Sequence, residues 1–105
     1  MSKLPPAVKI GAYDFKFICN KGHEADAHGE IYYVSQEIFL SSKFPSPERA
    51  VDTVLHEIFH GLWHQSLLKR KEREEPVVTT MATGLTQVFR DNPKLLEWIR
   101  DSLKR

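Results

Sequence analysis

The chain has little of what marks a disulfide-stapled, membrane-spanning or nucleic-acid-binding protein. Its 105 residues include one cysteine, Cys19, so no disulfide can form within the chain and a disulfide-stapled secreted fold is excluded. No apolar run approaches the roughly 18 residues that span a bilayer, and the first residues lack the apolar segment of a signal peptide. The net charge is +1, which favours neither a nucleic-acid nor a membrane partner. We therefore expect a protein of the cytoplasm.

The spacing of apolar residues predicts one α+β domain over residues 1–105. Alternation from Val8 to Cys19, with a bend at Gly11, predicts one strand or a bent pair. Two shorter β-rich patches follow, at Glu30 to Val34 and at Glu37 to Leu40. Three helical patterns come next, at about Pro47 to Leu68, at about Glu74 to Arg90, and from Pro93 behind a cap at Asn92. We expect a short N-terminal β-sheet packed on the first helix, followed by two further helices.

The first predicted helix has a polar face that carries histidines. Ser46, Pro47 and Glu48 suit its cap, first position and first turn. At about 100° per residue, an apolar stripe falls on one side, at Val51, Val54, Leu55, Ile58 and Leu62. His56 and His60 lie almost opposite that stripe, so neither is a histidine of the main apolar face. Thr53, Glu57 and His64 share the polar side with them, where an ordinary solvent-exposed face is the alternative interpretation.

His56, Glu57 and His60 form the pattern H-E-x-x-H on this helix. Two imidazoles one turn apart can converge on one ion with Zn–N distances of about 2 Å, and the glutamate beside the first histidine reaches a water on that ion. The pattern therefore predicts a Zn²⁺ site in which Glu57 activates water.

A catalytic zinc site needs a third protein ligand. His64 lies eight residues after His56, about 12 Å along a straight helix, so we place it at the rim of the site instead. The preferred third ligand is Glu75, which lies at the start of the next helix, three residues before Val78. The second choice is Glu74, and the third is His28, in the loop that follows Cys19. The longer pattern with a third histidine is absent, because Trp63 and Ser66 occupy its glycine and histidine positions.

The stretch DTVLHEIFHGLWH, followed by EEPVVTTMATGLTQVFRDNP, resembles small phage and prophage zincin-type metallopeptidases. In that family an H-E-x-x-H helix precedes a helix that opens on a glutamate and closes near Asn-Pro. The resemblance covers roughly residues 30 to 99. It implies His56, His60 and Glu75 as zinc ligands, Glu57 as catalytic base, a peptide or protein substrate and, for a phage-encoded chain, the host cytoplasm. Pro76 directly follows the implied ligand, so the choice between Glu74 and Glu75 stays open.

Peptide hydrolysis also requires a group that stabilises the oxyanion, for which Tyr32, Tyr33 and His64 are candidates. The strand from Gly29 to Val34 is a candidate sheet edge for pairing with an extended peptide. The alternative function is a non-catalytic zinc-containing domain that binds a protein partner, since bound zinc can serve stability alone. A DNA-associated protease is disfavoured by the near-neutral charge.

Overall fold

The computed structural model describes residues 3–19, 29–66 and 74–104. Four strands precede three helices, which confirms the predicted α+β layout. The elements are β1 (Ala7–Ile10), β2 (Tyr13–Cys19), β3 (Gly29–Tyr32), β4 (Glu37–Leu40), α1 (Pro47–Gln65), α2 (Glu74–Asp91) and α3 (Pro93–Leu103). Among the helices of these ranges, none combines the length and apolarity needed to cross a membrane.

The sheet is mixed, with the strand order β1-β2-β4-β3. β1 and β2 form an antiparallel hairpin in which Ile10 pairs with Tyr13, so the alternating segment is a pair of strands and not one. Gly11 occupies the turn with a φ of 63°, a conformation that glycine adopts without a steric penalty. β2 pairs in parallel with β4, and β3 lies antiparallel outside β4. This order places β3 at one edge of the sheet and β1 at the other.

The apolar core lies between one face of the sheet and the three helices. It is formed by side chains of both layers, at Val8, Ile10, Phe15, Ile38, Leu40, Val54, Ile58, Leu62, Val88 and Leu95. Val54, Ile58 and Leu62 belong to the stripe predicted for α1, which therefore packs its apolar side inward and turns its opposite side away from the core.

Side-chain amides of α2 and of its junction with α3 cover the outer edge of β1. Gln87 accepts a hydrogen bond from the Gly11 amide at 2.7 Å and donates to the Lys9 carbonyl at 3.1 Å. Asn92 accepts from the Lys9 amide at 2.8 Å and donates to Val88 O at 2.6 Å. Asn92 precedes α3 as predicted, but its side chain makes no capping bond because it is engaged with β1 and α2. The amide and the carbonyl of Lys9, which an added strand would use, are thus already paired.

The start of α1 is as predicted, whereas its end comes earlier. Ser46 accepts a hydrogen bond from the Arg49 amide at 3.1 Å, and Pro47 opens the helix. The predicted extension to Leu68 is wrong, since α1 ends at Gln65 with Ser66 in an extended conformation. The Ser66 hydroxyl donates to the Trp63 carbonyl at 2.8 Å, and its amide donates to the last turn. These bonds satisfy carbonyls that a longer helix would have used.

Candidate metal centre

The two motif histidines lie on the exposed side of α1 and point their rings at the same space. Both residues are exposed, and their ring centroids are 4.7 Å apart with an interplanar angle of 76°. The Nε2 atoms of His56 and His60 are 3.0 Å apart. Two imidazole nitrogens on one tetrahedral zinc ion, each about 2 Å from the metal, are separated by about 3.3 Å. The pair therefore fits a zinc ion with a change of a few tenths of an ångström.

Glu57 lies beside the pair but is buried, with 5% of its surface exposed. The sequence grouped it with His56 and His60 on one polar side, yet the structure divides that side into an exposed part and a covered part. Burial raises the pKa of the Glu57 carboxyl, while the nearby charges of His56 and His60 lower it and that of Glu30 raises it. A desolvated carboxylate next to a metal position is a stronger proton acceptor than one in water.

Gly29 at the start of β3 provides the cover over Glu57. A Cβ atom placed on Gly29 would lie 3.2 Å from the Glu57 Oε2 and Cγ atoms and 2.8 Å from Thr53 Cγ2. The backbone of β3 therefore approaches α1 so closely that a side chain at residue 29 would force Thr53 to shift. Thr53 is buried by the same approach, with 9% of its surface exposed, and its hydroxyl donates to the Arg49 carbonyl at 2.8 Å.

β3 and the residue after it follow α1 along its length, with every second residue facing the helix. After Gly29, the side chain of Ile31 comes within 3.3 Å of the Cβ position of Gly61. The next facing residue, Tyr33, donates a hydrogen bond from its hydroxyl to the His60 carbonyl at 3.3 Å. Burial and the charge of Glu57 raise the pKa of Tyr33. The edge of the sheet therefore runs beside the whole H-E-x-x-H segment.

His64 lies one turn after His60 on α1 and contacts Tyr33. Its ring stacks on that of Tyr33, with centroids 3.7 Å apart and an interplanar angle of 10°. His64 is therefore at the Tyr33 end of the row of histidines. Tyr32 occupies the other face of the sheet, where its ring packs edge-on against Phe39 and its hydroxyl bonds to Glu30. Of the three candidate oxyanion groups, Tyr33 and His64 are therefore close to the motif.

The third ligand remains an expectation. α2 begins at Glu74, so the helix already runs through Pro76, which is the arrangement that favours Glu75 over Glu74. Glu75 lies six residues before Met81, which lines a pocket together with the histidine pair, or about 9 Å along the helix axis. The Glu75 side chain and all of His28 lie outside the described part of the chain. Within the described part, no three His, Cys, Asp or Glu side chains form a group that could hold a metal.

Sequence reasoning missed two features of this site. Gly29 was assigned only to a strand, although a glycine inside a strand is itself a signal of close backbone approach. A pocket of about 320 Å³ on the side of the histidines away from β3 was also missed; His56, Phe59, His60, Trp63 and Met81 line it. No protein family model, curated protein or solved structure matches this chain. The case for a function therefore comes from the site itself.

Proposed function

We propose that this protein is a zinc-dependent metallopeptidase. The observation that carries the proposal is the 3.0 Å separation of the His56 and His60 Nε2 atoms beside the buried carboxylate of Glu57. A hydrogen bond between the two rings would also give this separation, but a helix face that serves solubility alone does not bury a glutamate between the histidines and a strand. The combination supplies two metal ligands and one base within a single turn of α1.

Each residue of the motif has a distinct role in the proposed reaction. His56 and His60 would hold the metal with a glutamate from α2, for which Glu75 is preferred. A zinc ion held there would supply Lewis acidity, which would lower the pKa of water and polarise the scissile carbonyl. Glu57 takes the proton of the attacking water and delivers it to the leaving amine. Its burial raises its pKa, and its carboxylate lies against the main chain of Gly29.

The peptide in this proposal binds along β3. Among the described residues, β3 pairs with β4 alone, so its outer edge presents main-chain groups beside α1. The opposite edge, that of β1, is occupied by the amides of Gln87 and Asn92. An extended peptide added to β3 lies over the histidine pair, with Tyr33 at one end as a hydroxyl donor for the oxyanion.

Cleavage of a mixed peptide library by the zinc-loaded protein, read by mass spectrometry, tests the proposal. We expect new termini with wild type and at least a 1000-fold lower rate with Glu57→Gln, whose amide cannot accept the proton; losses on the order of 10²–10⁴-fold are usual for a missing general base. Equal cleavage by both proteins would remove Glu57 from the reaction. Zinc binding without any cleavage would instead support the alternative, a non-catalytic zinc-containing domain that binds a protein.

A further inference from the structure

The pocket on the second flank of the histidine pair has an apolar lining and a polar rim. Phe59 and Trp63 lie one turn apart on α1 and keep 37% and 36% of their surfaces exposed. Met81 of α2 stands across from them, and His56 and His60 complete the lining. The pocket measures about 320 Å³, at the small end of the range for binding pockets, which suits one large side chain better than a length of peptide.

The position of this pocket follows from the rotation of α1. Going around the helix from β3, one meets Glu57 first, then His56 and His60, and then Phe59 and Trp63. The contacts agree with this order, because Glu57 lies against Gly29 while the two aromatic rings share their pocket with Met81. The histidine pair is therefore the floor of a groove with β3 on one side and Met81 on the other.

We propose that this pocket, formed by Phe59, Trp63 and Met81, selects substrates that carry a large apolar side chain next to the cleaved bond. The inference rests on the proposed peptidase function and names the substrate class of the same site. A peptide paired with the β3 edge points successive side chains to alternate sides. A side chain that points to the face of the sheet on which α1 packs, at the level of the histidine pair, meets the aromatic rings. Two aromatic faces and a flexible thioether accommodate leucine, methionine or phenylalanine.

Trp63 allows this selectivity to be measured without any hydrolysis. The chain has two tryptophans, Trp63 and Trp98, so Trp98→Phe leaves Trp63 as the single reporter. We would titrate the Trp98→Phe/Glu57→Gln protein, with one equivalent of zinc, with acetyl-Ala-Ala-Xaa-Yaa-Ala-Ala-amide peptides that carry Leu or Asp at either central position. Rates of cleavage of the same peptides would be measured in parallel with the zinc-loaded protein that keeps Glu57.

We expect a leucine at one of the two central positions to shift the Trp63 emission to shorter wavelength and to bind about 10- to 100-fold more tightly than aspartate there. Met81→Gln, which keeps the length of the side chain but adds an amide, should remove most of that preference. Val78→Thr is the matched control, since Val78 is exposed on α2 and is not part of the pocket lining.

The outcomes separate the two proposals. Equal affinity for leucine and aspartate peptides, or no binding of either, would overturn the pocket assignment. Cleavage with no preference between them would overturn it as well, while leaving the peptidase function standing. A third outcome is that the leucine peptides bind more tightly, that Met81→Gln loses this preference, and that no peptide is cleaved. This outcome would support the pocket and count against hydrolysis.

Discussion

The carboxylate of Glu57 lies directly beneath Gly29, so that a Cβ at Gly29 would come within 3.2 Å of Glu57 Oε2. This contact joins the edge strand of the sheet to the residue proposed as general base. It also explains how a charged residue between two exposed histidines is itself buried. The position of the base is thus set by main-chain packing and not only by its own helix.

Gly29→Ala is expected to destabilise the protein and to lower its activity with little loss of zinc. The added methyl group meets both Thr53 and Glu57, and overpacking of this kind costs about 1–3 kcal/mol. Thermal unfolding, zinc content and peptide cleavage would be measured together.

The double variant Gly29→Ala/Thr53→Ser is the control for that experiment. Serine removes the Thr53 methyl, which is the nearest atom at 2.8 Å, but keeps the hydroxyl that bonds to Arg49. We expect it to recover much of the stability while the activity stays low, because the contact with Glu57 persists. Full recovery of activity along with stability would show that Gly29 matters only for folding.

The zinc-free Glu57→Gln variant is expected to unfold at a higher temperature than zinc-free wild type at pH 7. Burial raises the Glu57 pKa above its ordinary value of 4.5, so the folded state binds the proton more tightly than the unfolded state. The carboxylate therefore destabilises the fold increasingly as the pH rises from 4.5 through the raised pKa. The gain in unfolding temperature from Gln should be largest above that pKa, should shrink as the pH falls towards 4.5, and should be absent well below pH 4.5.

Thermal melts of both proteins between pH 4 and pH 8 measure that gain. Glu97→Gln, at an exposed position of α3, is the control. Its difference in unfolding temperature from wild type should change much less with pH. If the difference in unfolding temperature between Glu57→Gln and wild type is the same at every pH, the Glu57 charge is not desolvated.

Tyr33→Phe and Tyr32→Phe form a matched pair, because the two residues are adjacent in sequence but lie on opposite faces of the sheet. Tyr33 contacts His60 and His64, whereas Tyr32 packs on Phe39. Loss of one oxyanion donor lowers kcat by about 100-fold or more. We expect that effect for Tyr33→Phe, with zinc content and KM little changed, and near wild-type kinetics for Tyr32→Phe. Equal kinetics in both variants would exclude the Tyr33 hydroxyl from the reaction.

The sequence predicted the motif helix well, because an amphipathic pattern with a 3.6-residue period depends on local residues alone. Val54, Ile58 and Leu62 are in the core, and His56 and His60 are exposed on the other side. The burial of Glu57 was not predictable in this way. It depends on β3, which is more than twenty residues away in sequence and which reaches α1 only because of its place in the sheet order.

Asn92 shows the same limit of local patterns. The Asn-Pro pair correctly predicted the start of α3. The side chain of Asn92, however, bonds to Lys9, a contact across 83 positions of sequence that no local signal contains. The pocket of Phe59, Trp63 and Met81 was likewise missed because it requires α2 to pack on a particular side of α1.

The third ligand can be assigned by comparing zinc affinities of Glu75→Ala, Glu74→Ala and His28→Ala in one titration series. We expect Glu75→Ala to lose zinc binding almost completely, since it removes a direct ligand. Loss of a group that only orients a ligand costs about 10–100-fold. If Glu75→Ala binds zinc as tightly as wild type while one of the others does not, that other residue is the ligand.

The zinc content of purified wild type, His56→Ala, His60→Ala and His64→Ala shows whether the H-E-x-x-H histidines bind the metal. His64 is the control, because it stacks on Tyr33 and lies about 12 Å along α1 from His56. We expect one zinc per chain in wild type and in His64→Ala, and a loss of most of the zinc in His56→Ala and in His60→Ala. Equal zinc content in all four proteins, or none in wild type after incubation with zinc, would contradict it.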